Sequence, residues 1–355
     1  MQKLCRPPTL WCHTAIRRQS HWETVVITTE SLRVGAVPIY IEGNGEETIV
    51  MIHGWPDTFR LWDRQVAALC STYRCVRFTL PGFDRDSERK AYTINEICEF
   101  LNRLIYTVSP DRPVTLLLHD WGCFFGYQFY ARHPRGISRI VGVDIGDVIS
   151  ARAEMTPKAK AMILAYQNWL ALAWTIGGRL GNRMTRFMAR ALRCPTYGAH
   201  VGAQMNYPYY MQWWAGTASY QREARPFEPT CPMLFVYGKR KPFMFHADSW
   251  LRRLTQESKN AVVAFDTGHW VMIEQPENFN KAVLQWLQKA AQPSHYIPGV
   301  PDRWIAMKRG CRRHWGGFDW PDPRPAGQRR QEDAARRSSV GERRGCRASH
   351  DKCGV

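Results

Sequence analysis

The segment VTLLLHDWGCFFGYQFY (residues 114–130) decides the fold of this chain. Its apolar run, Val114–Leu118, is typical of a buried strand, and the stretch Cys123–Tyr130 favours a helix. Between them, His119–Gly122 predicts a sharp turn that lifts the side chain of Asp120 above the end of a sheet, with backbone N–H groups around it. A carboxylate in that position can attack an alkyl carbon and leave an ester on the protein.

Strands and helices alternate on both sides of this segment, which predicts a mostly parallel sheet with helices on both faces, an α/β fold. The first two strands are expected to be antiparallel. The predicted strands are Thr24–Thr29, Val37–Glu42, Thr48–His53, Arg74–Leu80, Val114–Leu118, Ile137–Ile145, Pro232–Tyr237 and Ala261–Phe265. The clearest helices are Leu61–Cys70, Thr93–Val108 and Phe279–Ala290.

The alternation stops between residues 150 and 225, where helical patterns rich in Met, Trp and Tyr occur without a strand. This insertion follows the strand after the Asp120 turn. It can therefore roof the carboxyl ends of the strands, where open α/β sheets bind ligands. The sequence predicts a core of residues 23–149 and 226–292 with a helical cap of residues 150–225.

The net charge of +18 is concentrated towards the ends of the chain. Residues 1–22 carry four basic and no acidic residues, and residues 301–355 carry 14 basic and 7 acidic residues. Since no nucleic-acid motif accompanies them, we expect disordered basic extensions, residues 1–22 and 293–355, and no nucleic-acid partner. No run of 18 apolar residues predicts a membrane span.

Eleven scattered cysteines show no zinc-like spacing, and no secretory signal is evident. This pattern favours reduced thiols in the cytoplasm, with no metal site. The basic N-terminus also resembles an organelle transit peptide, which leaves mitochondrial targeting as an alternative. The oligomeric state is not predicted.

Four motifs occur in order, each at the end of a predicted strand: His53–Asp57, Pro81–Phe83, His119–Gly122 and Gly268–Trp270. Together they resemble the α/β-hydrolase fold over residues 24–292, in its epoxide hydrolase and haloalkane dehalogenase branch. The resemblance implies a cofactor-independent hydrolase whose nucleophile is Asp120 and whose intermediate is an alkyl ester.

The same resemblance makes His269 the base that activates water against the ester. Such a base needs a carboxylate to orient its ring. The commoner place for that acid holds Lys241, which cannot accept an imidazole N–H bond while charged. Some haloalkane dehalogenases take the acid from the preceding strand, which makes Asp144 the first candidate here and Asp147 the second.

The backbone N–H groups of Trp55 and Trp121 are expected to form the oxyanion or leaving-group site. The indole of Trp121 could also form a pocket wall or bind a halide. Pro56 is often cis in the resembling enzymes. Leu118 replaces the usual small residue two positions before the nucleophile and could crowd the turn.

Epoxide hydrolases use cap tyrosines to protonate the epoxide oxygen, and residues 206–210 lie about where one of these falls. Tyr210 is the first choice for this catalytic role and Tyr209 the second. Tyr209 and Tyr166 are also candidates for the substrate pocket.

Three functions remain open at this point. The first is the opening of a small apolar epoxide to a diol. The second is displacement of a halide by the same steps. The third is binding of a small apolar ligand or a protein by a fold that has lost catalysis, and Lys241 and Leu118 motivate it.

Overall fold

The computed structural model describes residues 29–84, 87–196 and 198–291, and within these ranges eight strands form one sheet. The strands are β1 (Thr29–Val34), β2 (Val37–Glu42), β3 (Thr48–Ile52), β4 (Arg74–Phe78), β5 (Val114–His119), β6 (Ile137–Val143), β7 (Met233–Gly238) and β8 (Ala261–Phe265). Their order is β1-β2-β4-β3-β5-β6-β7-β8, antiparallel at β1/β2 and β2/β4 and parallel elsewhere. This confirms the predicted α/β class.

Helices lie between the strands and after the last of them. They are α1 (Asp63–Leu69), α2 (Ile94–Val108), α3 (Trp121–Tyr130), α4 (Val148–Glu154), α5 (Pro157–Ile176), α6 (Gly178–Ala191), α7 (Tyr207–Trp213), α8 (Tyr220–Glu223), α9 (Asp248–Gln256), α10 (Val271–Glu274) and α11 (Pro276–Ala291). No helix in the described ranges is long and apolar enough to cross a membrane.

The strand β5 lies in the middle of the sheet, paired in parallel with β3 and β6. All six of its residues are buried. A continuous apolar run is what a strand covered on both faces requires, so the run before Asp120 fixes β5 at the centre of the sheet.

Several predicted strands begin or end at other residues in the structure, and the first, Thr24–Thr29, shares only Thr29 with β1. The strand β6 ends at Val143 rather than Ile145, because Asp144 has a φ of 72° and leaves the extended conformation. Residues Arg33 and Val34 belong to β1, and the turn to β2 is made at Gly35, which has a φ of 60°. The N-terminal extension, the C-terminal tail and residues 24–28 of the first predicted strand lie outside the described residues.

Leu118 does not distort the turn before Asp120. It is fully buried, and its side chain packs against Gly126 of α3. A Cβ atom at Gly126 would lie 2.6 Å from both Cδ atoms of Leu118. The glycine on the helix therefore provides the space that a small residue on the strand provides in the resembling enzymes.

Helices α4 to α8 follow β6 and precede β7, and no strand lies between them in the described part of this segment. Within it, α5 packs against both α6 and α7. The division into a core and a cap stays a prediction, but the helical insertion is in the expected place along the chain.

Candidate active site

Asp120 occupies the turn between β5 and α3 with a φ of 52° and a ψ of −123°. Few residues other than glycine adopt positive φ, and such strain persists where the surrounding structure holds the backbone in place. Here the packed strand and the helix on either side hold it. The turn places the Asp120 carboxylate at the carboxyl edge of the sheet.

One oxygen of this carboxylate faces backbone donors. The N–H of Trp55 donates to Asp120 Oδ1 at 2.7 Å, and the N–H of Trp121 also bonds to the carboxylate. Gly54 makes this approach possible, since a Cβ there would lie 2.3 Å from Asp120 Oδ1. The peptide between Trp55 and Pro56 is cis, as the resemblance predicted. These donors can stabilise negative charge that develops on Oδ1.

The other oxygen faces His269. The Nε2 atom of His269 lies 3.4 Å from Asp120 Oδ2, and its Nδ1 atom is hydrogen-bonded to Asp144 Oδ2. The ring of His269 therefore bridges two carboxylates that lie 24 residues apart in the sequence. In this geometry one ring nitrogen is held by Asp144 and the other is directed at Asp120.

Asp144 is fully buried and accepts three hydrogen bonds. The N–H of Gly238 donates to Oδ1 at 3.1 Å, Lys241 Nζ forms an ion pair with the same oxygen, and His269 bonds to Oδ2. The positive φ of Asp144 turns its side chain towards His269. Asp147 instead bonds to Ser150 at the start of α4 through its carboxylate.

The charges in this cluster shift one another's pKa values. Burial favours neutral carboxyls, but Lys241 and His269 hold the pKa of Asp144 well below its usual range. His269 likewise lowers the pKa of Asp120 against the effect of burial. Burial would lower the pKa of His269, yet Asp144 and Asp120 raise it to about 9. With both carboxylates ionised, His269 is therefore an imidazolium at neutral pH.

His119, which the sequence predicted only as part of the turn motif, supports the loop that carries His269. It is fully buried, and its Nε2 lies 3.1 Å from the carbonyl oxygen of His269. Burial lowers the pKa of His119 to about 3, so the ring is neutral and can donate its Nε2–H to that carbonyl. The position of His119 directly before Asp120 was the only feature of the sequence that indicated a role for it.

Asp57 is a second residue whose role the sequence did not indicate. It is fully buried and accepts hydrogen bonds from Thr196 Oγ1 at 2.6 Å and from Trp270 Nε1 at 2.9 Å. Burial raises its pKa to about 6. Asp57 thereby ties the loop after β3 to the helical insertion and to the residue that follows His269.

A cavity of about 730 Å³ opens onto Asp120. Its lining is mostly apolar and aromatic, with Trp121, Phe124 and Ile145 near the strand ends and Tyr166 and Tyr209 on the helical insertion. Asp120 is the only carboxylate among the lining residues that the structure describes. The cavity therefore suits an apolar ligand with its reactive atom at Asp120.

The structure corrects the choice of tyrosine. Tyr210 does not line this cavity, and its ring instead packs on Trp174 with centroids 4.2 Å apart. Its neighbour on α7, Tyr209, lines the cavity instead. Burial raises the pKa of both Tyr209 and Tyr166, so both are protonated at neutral pH and can donate.

Among the described residues, no group of three or more His, Cys, Asp or Glu side chains is arranged to hold a metal ion. The cluster around His269 contains Lys241, whose cation occupies one oxygen of Asp144. That ion pair makes the cluster itself unsuited to a cation.

The sequence profile of the alpha/beta hydrolase family matches residues 49–283. The chain belongs to this family. The match begins in β3 and ends in α11, so it includes Asp120, Asp144 and His269.

Two curated proteins are similar to parts of this alpha/beta hydrolase. The probable oxidoreductase EphD of Mycobacterium tuberculosis is 37% identical over 108 residues, 29% of this chain and 18% of that protein. A cis-3-alkyl-4-alkyloxetan-2-one decarboxylase of Xanthomonas campestris is 31% identical over 121 residues, 31% of this chain and 40% of that protein. The chain thus spans less than half the length of either relative.

Solved structures resemble a larger share of this alpha/beta hydrolase. An epoxide hydrolase variant from Bacillus megaterium has a TM-score of 0.57 and 17% identity, covering 73% of this chain and all of the other. The haloalkane dehalogenase DatA from Agrobacterium tumefaciens has a TM-score of 0.55 and 18% identity, covering 74% and 97%. At such identities the likeness shows the fold.

Proposed function

We propose that this alpha/beta hydrolase opens a small apolar epoxide to a diol through a covalent ester on Asp120. The arrangement of Asp120, His269 and Asp144 carries the proposal. One carboxylate oxygen faces backbone donors and the other faces a histidine that a buried acid orients. In this mechanism the helical insertion serves as the cap over the substrate.

In the first half-reaction, Asp120 Oδ2 attacks an epoxide carbon and the carbon–oxygen bond of the ring breaks. The alkoxide that forms takes a proton from a cavity tyrosine, for which Tyr209 and Tyr166 are the candidates. A phenol suits this step because it is a donor at neutral pH. The products of the step are a hydroxyalkyl ester of Asp120 and a tyrosinate.

In the second half-reaction, His269 takes a proton from water, and the water oxygen attacks Cγ of Asp120. The N–H groups of Trp55 and Trp121 stabilise the charge that develops on Oδ1. The departing alcohol oxygen takes the proton from His269. The second water proton returns to the tyrosinate, so that one water adds to each epoxide.

Formation of the ester also prepares the base. The negative charge of Asp120, 3.4 Å from His269 Nε2, helps to raise the histidine pKa to about 9. Esterification removes that charge, so the pKa of His269 falls towards the value that burial favours. The imidazolium then releases its proton to solvent, which leaves the neutral base that ester hydrolysis needs, and it takes a proton back from solvent once Asp120 is again a carboxylate.

The test is a single turnover of styrene oxide in ¹⁸O-labelled water with enzyme in excess. Label should enter the Asp120 carboxylate, located by mass spectrometry of the peptide, and not the diol. The matched control is Asp147→Asn, which should label Asp120 as the unchanged protein does, whereas Asp120→Asn should give no ester. Label that passes directly into the diol would contradict the covalent mechanism.

Halide displacement would use the same Asp120 ester. In haloalkane dehalogenases the leaving halide needs side-chain N–H donors, but here the indole N–H of Trp55 donates to Asn206 at 2.7 Å. Trp121 and Trp213 both line the cavity, but the indole N–H of Trp213 is likewise engaged, since it donates to Gln167 Oε1 at 2.7 Å. Turnover of 1-bromohexane, or of a cis-3-alkyl-4-alkyloxetan-2-one, in place of epoxides would overturn the substrate assignment while leaving Asp120 as nucleophile.

A further inference from the structure

We propose that the outer face of the α5–α6 hairpin docks this protein onto an anionic lipid surface. We call this surface the hairpin face. It consists of Met162, Ala165, Trp169, Leu172, Ile176, Leu180, Met184 and Phe187 with the arginines at 179, 183, 186 and 190. The docking is separate from the chemistry proposed for Asp120.

The helix α5 exposes a stripe of apolar residues along one side. Positions 162, 165, 169, 172 and 176 are spaced by three and four residues, so they lie within a narrow sector of the helix, and all five are exposed. The stripe is about 21 Å long at 1.5 Å per residue. A helix packed only within a protein would expose polar residues along this side.

The helix α6 continues the apolar surface. Leu180 and Phe187 are 58% and 60% exposed, among the most exposed large apolar side chains described. The ring of Phe187 lies 5.8 Å from that of Trp169, and Trp169 Nε1–H donates to the carbonyl of Met184 at 3.1 Å. The two stripes therefore meet in one continuous surface at Trp169.

The hairpin is also strongly basic. Residues 157–193 contain seven Lys and Arg residues and no Asp or Glu. Within the described part of the chain, none of the seven forms an ion pair with a carboxylate. The basic residues are Lys158, Lys160, Arg179, Arg183, Arg186, Arg190 and Arg193. Their positive charge is available to a partner outside the fold.

Charge complementarity selects the occupant. A second copy of this chain docked on the hairpin face would bring two rows of arginines together, and their like charges would repel. The tail at residues 301–355 carries 14 basic and 7 acidic residues, so its net positive charge would also be repelled by the arginines of the hairpin face. Exposed Trp, Leu, Ile and Phe beside unpaired arginines match the interface between lipid headgroups and acyl chains. Anionic headgroups would pair with the arginines while the apolar stripe enters the acyl region.

The hairpin face lies close to the cavity without being part of it. The opposite side of α5, at Ile163 and Gln167, lines the cavity above Asp120. One helix thus forms a cavity wall and the docking surface. Since apolar compounds partition into membranes, docking through α5 would hold the cavity beside the phase in which an apolar substrate is concentrated.

Vesicle co-sedimentation of the full chain tests the proposal. Binding to phosphatidylcholine–phosphatidylglycerol vesicles should exceed binding to phosphatidylcholine alone. The variants Leu180→Asp/Phe187→Asp and Arg183→Glu/Arg190→Glu should each weaken it at least roughly tenfold. The matched controls lie on α2: Tyr106→Asp, at a side chain that is 73% exposed, and Arg103→Glu should leave binding unchanged. Circular dichroism would confirm that every variant is folded.

Because the basic ends of the chain can also bind anionic lipid, support requires loss in the hairpin variants and not in the controls. Equal binding by all variants would overturn the proposal. Binding to polyglutamate without vesicle binding, lost only in the arginine variant, would identify an acidic protein partner instead. A dimer in sedimentation velocity that both hairpin variants dissociate would assign the face to self-association.

Discussion

At the scale of single residues, the site depends on one carboxylate that two cations share. Lys241 stands where the resembling enzymes commonly carry the acid, and it forms an ion pair with Asp144, the carboxylate that bonds to His269. The sequence allowed Asp144 to be named, because it follows a strand. The sequence did not predict the ion pair between Lys241 and Asp144, because a contact between residues 97 positions apart produces no recognisable spacing in the sequence.

We predict that Lys241→Met shifts the pH dependence of ester hydrolysis. Lys241 and His269 bear like charges on opposite oxygens of Asp144, so we expect the charge of Lys241 to oppose protonation of His269. Without Lys241 the pKa of His269 should rise, and the ascending limb of kcat against pH should move upward by about one unit. At pH values below the ascending limb, rapid-quench trapping should show more alkyl-enzyme for Lys241→Met than for the unchanged protein.

The control for this prediction is Lys241→Arg, which keeps the charge and should keep the wild-type profile. If Lys241→Met lowers kcat but leaves the pH of the ascending limb unchanged, the ion pair acts only on the stability of the fold.

The tyrosines of the cavity give a second prediction at this scale. Tyr209→Phe and Tyr166→Phe each remove one phenol that faces the cavity. We expect loss of the contributing donor to slow epoxide opening by roughly 10²–10⁴-fold, measured as the rate of alkyl-enzyme formation. Tyr210→Phe, against Trp174, is the matched control and should change this rate little. Unchanged rates in the first two variants would exclude both as proton donors.

At the scale of elements, the apolar patterns predicted strands β2 to β8 and the turn between β5 and α3, whereas the first predicted strand, Thr24–Thr29, shares only Thr29 with β1. Their ends were less predictable. Asp144 terminates β6 through a positive φ, which has no signature at a non-glycine residue. Crowding by Leu118 was expected from the strand alone, and the compensating glycine lies on the next element. Local patterns fix element type, whereas packing between elements decides how an unusual residue is accommodated.

A double-mutant cycle tests that compensation. Gly126→Ala should destabilise by about 1–3 kcal/mol through overpacking against Leu118, despite the better helix propensity of Ala. Leu118→Ala should cost about 2–5 kcal/mol through the cavity that it leaves. The double variant should cost less than the sum, because each change makes room for the other. Additive costs, measured by urea unfolding, would show that the two residues are not coupled.

At the scale of the whole molecule, buried charges join parts of the chain that are distant in sequence. Asp57 connects the loop after β3 with Thr196 of the insertion and with Trp270, which follows His269 in the sequence. The order of the motifs predicted that their loops meet at the carboxyl edge of the sheet. It did not predict the hydrogen bonds of Asp57, because a buried carboxylate that joins two motifs leaves no periodic pattern in the sequence. The fold therefore follows from sequence more completely than the charge network within it.

That network should make stability depend on pH through His269. Its pKa is about 9 in the folded protein and 6.5 without the fold, so its ion pairs stabilise fully below pH 6.5. The contribution is lost as pH rises through about 9, and it amounts to at most about 3 kcal/mol. Urea unfolding should therefore show wild-type stability falling across this window, with a smaller fall in His269→Gln.

The control His133→Gln should keep the wild-type slope, because burial lowers the pKa of His133 and places its effect on stability below pH 6.5. Parallel curves for wild type and His269→Gln would show that His269 is not held as an imidazolium by Asp144 and Asp120.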